Sequence, residues 1–231
     1  MYLNTRTYRR SGFTMIELMV AIAVLSVLMI GMYSIGMSML RGQRLLDAKV
    51  KMRDEARGGM VHMMRNLRMA NMDPLSTVAK VQYTDSAGVL QDWPPASGSY
   101  VDNIVFFIPQ DLNGDGIPAT NGVVDWTTSI TFQLDADDIN GDGKTQQVVQ
   151  LLDGVFTKVL ISDIAPFTTI ATNPEIAPLY QSLASTGGFS FTGDADRVNI
   201  SVIQRLTLGP GMSDVVTRYD DTVLFRNKKA G

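Results

Sequence analysis

The chain has 231 residues and is 45% apolar, enough for one globular core of ordinary size plus an appendage. It has no cysteine and a single histidine. That excludes a disulfide framework, a zinc–thiolate centre, a thiol nucleophile and most imidazole-based acid–base pairs. The net charge of −3 conceals an asymmetry: residues 1–72 carry eleven Lys/Arg against four Asp/Glu, or +7, whereas residues 73–231 carry nine against nineteen, or −10. An acidic C-terminal part argues against nucleic-acid binding, because phosphate contacts need Lys and Arg. The basic N-terminal part suits anionic lipid or acidic surfaces of neighbouring copies.

In chain order, Arg6, Arg9 and Arg10 come first, with no acidic residue among them, and Leu18–Leu40 follows as 23 residues without a charge. A helix of that length rises about 34 Å, enough to cross a hydrocarbon core of about 30 Å. The run is too long for a cleaved secretory signal, whose apolar part spans about 7–15 residues. The basic flank predicts a cytoplasmic N-terminus with the rest exported. Glu17, at the start of the run, is the residue an ordinary anchor leaves unexplained. A carboxylate at the centre of a membrane helix costs about 2.5–3.5 kcal/mol on insertion scales and less near the interface. A partner should therefore compensate it, unless it simply lies among the headgroups.

The stretch Arg10-Ser11-Gly12-Phe13-Thr14-Met15-Ile16-Glu17-Leu18 resembles the processing site of type IV prepilins. The resemblance implies that a prepilin peptidase cuts after Gly12, that the new N-terminus at Phe13 is N-methylated, and that Glu17 becomes the fifth residue of the mature chain. Cleavage would place a positive amine at Phe13, at the depth of Glu17. The Glu17 of one copy could then neutralise the amine of another and set the axial register of packed helices.

Gly31, Gly36 and Gly42 weaken the helix by about 1 kcal/mol each relative to Ala, and read either as points of bending or as sites of close helix packing. Past Leu40 the pattern turns amphipathic. Leu45, Ala48, Met52, Ala56, Met60, Met63, Leu67 and Ala70 form one stripe, with Arg44, Lys49, Lys51, Arg53, Arg57, Arg65 and Arg68 mainly on other faces. Gly58-Gly59 reads as a weak point and Asp73-Pro74 as the stop. The methionines read as adaptable core filler, and His62, alone, as a packed or solvated side chain.

Residues 75–100 read as an irregular connector. Strands are expected at Asn103–Ile108, Ser129–Leu134, Gln147–Leu152, Val155–Ile161, Arg197–Leu208 and Asp221–Phe225, with residues 164–195 a long loop region holding one or two short elements. The fold class is α+β, a long helical spine packed on an antiparallel sheet. It divides into residues 1–12, 13–40 (membrane or filament-core helix), 41–73 (amphipathic half of the spine) and 74–231 (head). The ends Arg65–Ala70 with Asp73-Pro74, and Thr222–Asn227, resemble PilW-type minor pilins, with type II secretion pseudopilins (the pseudopilin J type) as near relatives. The middle of the chain is unmatched. The resemblance implies the type IV pilin fold, a leader at residues 1–12, and a low-abundance subunit that helps initiate a fibre. Its partners would be other major and minor pilins, the prepilin peptidase, the inner-membrane pilus assembly machinery and, before assembly, the lipid bilayer. It also implies a bacterial inner-membrane location with the head periplasmic, and then the pilus at the cell surface. A secretion pseudopilin, or a calcium-dependent adhesin on a pilin stem, are the alternatives.

Two segments, Asp111-Leu112-Asn113-Gly114-Asp115-Gly116 and Asp138-Ile139-Asn140-Gly141-Asp142-Gly143, match the first half of an EF-hand calcium loop. Seven aspartates and no Lys or Arg lie between Asp111 and Asp142. The twelfth position, which an EF-hand fills with Glu, is Gly122 or Val149. A Ca2+ site would therefore use Asp111, Asn113, Asp115, Asp138, Asn140 or Asp142, with help from Asp125, Asp135 or Asp137. The alternative is a pair of solvated Asn-Gly-Asp-Gly turns. No nucleophile elbow, phosphate-binding loop or metalloprotease helix is present, so no enzymatic activity is expected.

Overall fold

The computed structural model describes residues 12, 14–70, 80–97, 99–109, 111, 119–120, 123–124, 126–135, 137–139, 141–166, 187–207 and 214–225. Contacts divide the chain into two compact units, Met1–Asp47 and Ala48–Gly231. One helix, α1 (Met15–Leu67), runs through both.

In the first unit, α1 carries its apolar residues facing outward: Met15, Ile16, Leu18, Leu25, Ile30 and Tyr33 are all exposed. Two serines on this stretch bond the helix's own carbonyls. Ser26 Oγ donates to the Ile22 carbonyl and Ser38 Oγ to the Ile35 carbonyl, both at 2.8 Å, so neither hydroxyl needs water. The helix is unbroken at Gly31, Gly36 and Gly42, and nothing lies within 4 Å of where a Cβ would sit on any of them.

In the second unit the expected stripe is buried from Met52 onward: Met52, Ala56, Met60, Met63, Leu67 and Ala70 are core residues, while Leu45 and Ala48 are half-exposed. Gly58-Gly59 is a contact and not a break. A Cβ on Gly59 would lie 2.4 Å from Ile161 Cγ1 and 2.9 Å from the Leu160 carbonyl oxygen, so the missing side chain lets the helix approach the sheet. The helix ends at Leu67, earlier than Asp73-Pro74, in a tight turn in which Met69 and Ala70 N–H bond the Asn66 and Leu67 carbonyls. Asp73 and Pro74 lie outside the described residues.

Among the described residues, the strands of the head all pair antiparallel. One sheet has the order β2-β1-β3-β6-β7-β8, formed by β1 (Gln82–Thr84), β2 (Leu90–Asp92), β3 (Asn103–Ile108), β6 (Thr128–Asp135), β7 (Gln147–Leu152) and β8 (Val155–Ile161). β4 (Ala119–Thr120) and β5 (Val123–Val124) pair as a short hairpin. The third sheet has the order β11-β10-β9, from β9 (Phe189–Asp194), β10 (Arg197–Leu206) and β11 (Val215–Leu224). Alternation drives burial: Ile104 and Phe106 of β3, and Ile130, Phe132 and Leu134 of β6, point to the core, where Phe106 and Phe132 meet at 5.3 Å. The same cluster takes in Met60, Met63 and Leu67 of α1 and Phe189, Phe191, Val198, Ile200 and Val202 of the third sheet. The α+β expectation therefore holds, with helix on antiparallel sheets as the pilin resemblance implies.

Three expectations are corrected or completed. Residues 75–100 contain the hairpin β1–β2, nucleated by Asp85: its Oδ1 accepts Ala87 and Val89 N–H, both at 2.9 Å, and Gly88 takes φ 79°. Trp93, beyond it, is buried and donates from Nε1 to the Asp194 carbonyl at 2.9 Å. The short element expected within the loop region 164–195, but not placed there by the sequence, is β9, whose Phe189 and Phe191 are fully buried. β11 starts at Val215, well before Asp221, because its first half carries Thr217, Arg218 and Tyr219 on a half-exposed strand that periodicity alone does not flag.

Candidate functional site

The first helical turn decides what Glu17 can do. An α-helix leaves its first N–H groups without partners, and Thr14 stands at the N-cap position. Thr14 Oγ1 accepts the Glu17 N–H at 3.3 Å, while Glu17 Oε2 accepts the Thr14 backbone N–H at 2.9 Å and its hydroxyl at 3.1 Å. This is a reciprocal capping box, the Thr-x-x-Glu arrangement that satisfies two orphan donors at once. The sequence carried that signal, and the reading of Glu17 as a carboxylate in need of an external partner passed over it. Both bonds use Oε2 and neither uses Oε1. Gly12 is exposed, with nothing within 4 Å of where a Cβ would sit. Phe13 lies outside the described residues.

Behind this turn α1 is long and apolar enough to cross a membrane, and its most apolar 18-residue stretch is wholly unburied.

The acidic loops are described in part. Asn113, Asp115, Asp125 and Asn140 lie outside the described residues, and Asp111 is half-buried. In the connection from β6 to β7, Asp138 takes φ 55°, Gly141 φ 69° and Gly143 φ 78°. Asp138 Oδ2 accepts the Gly143 N–H at 3.0 Å, and Asp142 Oδ1 accepts the Lys144 N–H at 2.8 Å. These carboxylates thus organise turns, as Asp commonly does. Among the described residues, no three His, Cys, Asp or Glu side chains gather as metal ligands.

His62 sits where α1 meets the sheet. Its Nε2 lies 2.8 Å from Gln150 Oε1 and 2.9 Å from Asn66 Nδ2, its Nδ1 is 3.4 Å from Lys158 Nζ, and its ring meets Phe132 edge-on. This is a packed, hydrogen-bonded histidine joining helix to sheet, as its isolation in the sequence suggested.

Residues 7–33 match the family described as the prokaryotic N-terminal methylation motif. The match encloses Gly12, Phe13 and Glu17 together with the apolar run as far as Tyr33. Comparison with curated proteins and with solved structures gives no match.

Proposed function

We propose, from the premise that a methylation motif ahead of an apolar helix indicates a type IV pilin-like or pseudopilin-like protein, that this chain is a minor pilin. Its role is structural: a subunit in the initiation or assembly of a type IV pilus. The observation that carries the reading is the motif match at residues 7–33, whose expected cleavage residue precedes a capped helix of exposed apolar side chains. In this reading a prepilin peptidase cuts after Gly12 and Phe13 is methylated. α1 anchors the chain as a single pass in the inner membrane, N-terminus cytoplasmic and head periplasmic, until it leaves the bilayer to pack among other pilins.

Glu17 has two parts in this scheme. Its Oε2 holds the first turn through Thr14. Its Oε1 is left to accept the Phe13 amine of an adjoining subunit, an ion pair worth far more in a low dielectric than in water. The carboxylate therefore enters the membrane with a partner of its own before an intermolecular one exists.

N-terminal mass spectrometry of the protein from a host with an active peptidase tests the reading. A chain beginning at methylated Phe13 is expected, and Gly12→Ala should leave the precursor intact. Glu17→Ala should insert in the membrane but incorporate poorly into fibres. Recovery in sheared surface fibres supports the pilus; retention in a cell-bound fibre that depends on secretion components would make it a pseudopilin. A mature chain still starting at Met1 would discard both.

A further inference from the structure

A strand at the edge of a sheet presents a row of open backbone N–H and C=O groups. Folded chains blunt such edges with short strands, bulges, Lys or Pro, or by covering them. Among the described residues, every strand edge of this head but one is blunted. β2, β4 and β5 are two or three residues long. β8 pairs with β7 through two register shifts and carries Lys158 at its middle. β9 is covered on its outer side: Phe191 and Val101 exchange both backbone bonds, at 2.6 and 2.9 Å, and the Gly188 N–H bonds the Ala165 carbonyl. β11 is the exception. It runs ten residues in unbroken register with β10, ends the order β11-β10-β9, and contains no Pro, Gly or Lys.

The ladder fixes which of its backbone groups are open. Antiparallel pairs alternate between hydrogen-bonded and non-hydrogen-bonded. The Phe225 N–H bonds the Asp196 carbonyl at 3.1 Å, one step beyond the Arg197–Leu224 pair. Counting back from there, Val215, Thr217, Tyr219, Asp221 and Val223 turn their backbone groups to β10, and Val216, Arg218, Asp220, Thr222 and Leu224 turn theirs to the free edge. Side chains alternate by face in the same step: Val215, Tyr219 and Val223 pack inward, whereas Arg218, Asp220, Thr222 and Leu224 are exposed.

This strand is complementary to itself. A two-fold axis relating two antiparallel copies maps each opposed pair onto its equivalent, so it passes through a residue that faces itself. With Tyr219 on the axis, Arg218 faces Asp220 of the second copy and Asp220 faces its Arg218. Val216 then faces Thr222, Thr217 faces Asp221 and Val215 faces Val223. The opposite charges fall on hydrogen-bonded pairs. Moving the axis by one residue would set Arg218 against Arg218 or Asp220 against Asp220, which is destabilising. Arg218 and Asp220 already bond within the chain, Nε to Oδ1 at 2.8 Å, so pairing closes a ring of four alternating charges. Beside this edge lies a groove of about 520 Å3 lined by Arg53, Arg57, Met60, Val61 and Met64 of α1 together with Tyr219. Neither of those arginines has an ion-pair partner among the described residues. Asp221 of the second copy, on the Tyr219 face, brings a carboxylate toward them.

We propose that β11 is a self-association edge: two copies of this chain pair through it about a two-fold axis at Tyr219, joining two three-stranded sheets into one. The pairing adds backbone bonds along the strand, while the side-chain pattern selects a second copy and the register. It does not depend on the pilin reading.

Sedimentation equilibrium of the full-length chain in detergent micelles reads the dimer. Arg218→Asp sets like charges opposite each other on both sides of the axis and should weaken dimerisation at least about tenfold. Adding Asp220→Arg to it restores opposite charges and should restore the dimer. The chain has no cysteine, so single cysteines report the register. Tyr219 faces itself in a non-hydrogen-bonded pair, with Cα atoms about 4.5 Å apart, within disulfide reach. Tyr219→Cys should therefore cross-link to itself on oxidation, whereas Leu224→Cys, about 30 Å from its mate, should not. Should Tyr219→Cys impair folding, a mixture of Arg218→Cys and Asp220→Cys chains reads the same register from exposed positions, and the mixed cross-link should predominate. A dimer indifferent to the charge changes overturns the proposal, because α1 or another surface would then hold it. A chain that stays monomeric also overturns it and leaves the edge to a different subunit.

Discussion

The two halves of α1 share a secondary structure and little else. From Met15 to Leu40 the apolar side chains run round the whole helix and all are exposed; from Met52 to Leu67 they are confined to one stripe and buried against strands. Among the described residues, the first half has no complementary surface within its own unit. The second half finds its burial in the head. The glycines follow the same division: Gly31, Gly36 and Gly42 face open space, whereas Gly59 faces Ile161 at a distance no Cβ tolerates. A helix that is apolar all round is built for an apolar medium, and one with a single stripe for one packed interface.

Paired substitutions can break this contrast. Phe132→Ala should lower the head's unfolding free energy by about 3–5 kcal/mol, as truncation of a fully buried aromatic does, whereas Leu25→Ala should leave head unfolding unchanged. Urea titration of the detergent-solubilised chain measures both, and an equal effect would erase the distinction. Gly59→Ala should cost about 1–3 kcal/mol by overpacking against Ile161 and the Leu160 carbonyl. Gly36→Ala should be neutral or stabilise the helix by up to about 1 kcal/mol. Thr14→Val, which removes the N-cap hydroxyl while keeping the side-chain shape, should cost about 1 kcal/mol at the first turn. That loss would be seen as faster amide exchange at residues 15–18, with the head's Tm unmoved.

The smallest effect is the pH dependence of the head. Asp85 is held below the ordinary 3.8 mainly by the Val89 N–H, Asp92 by Lys80, Asp194 by the Asp196 N–H and Asp214 by Arg205. A carboxyl with a depressed folded-state pKa contributes stability that is present above its unfolded value and is lost as pH falls through the folded one. These four should therefore weaken the head only below about pH 3.8. Asp163 runs the other way: burial first, and then the Glu55 carboxylate, push it up against the opposing pull of Lys51 and Lys144. Its ionised form disfavours the fold, so acidification from neutrality should first raise stability slightly as it protonates. Asp163→Asn should abolish that rise in a pH series of thermal melts.

Much of this architecture was legible in advance where a single periodicity ruled. β3, β7 and β8 occupy the residues expected of them, and the buried stripe of α1 follows the three-to-four spacing from Met52 to Leu67. The misses share a cause. The β1–β2 hairpin rests on side-chain bonds of Asp85, β11 on pairing to β10 with a half-polar face, and β9 on two phenylalanines within a Gly- and Ser-rich stretch. Each is specified by partners far along the chain or by turn chemistry, which apolar periodicity does not record. The acidic loop shows the same limit: its motif named Asp138, Asn140 and Asp142, while the wholly buried carboxylate is Asp135.

By itself, the sequence determined that the chain begins with a basic flank, a methylation motif and a membrane-length apolar helix, and that an acidic β-rich part follows. Composition and local spacing suffice for these because each is a property of contiguous residues. Only the tertiary structure decided that Gly59 is a contact, that His62 joins helix to sheet, and that the buried carboxylate at the end of β6 is Asp135. Those are properties of distance between atoms, which the order of residues constrains but does not state.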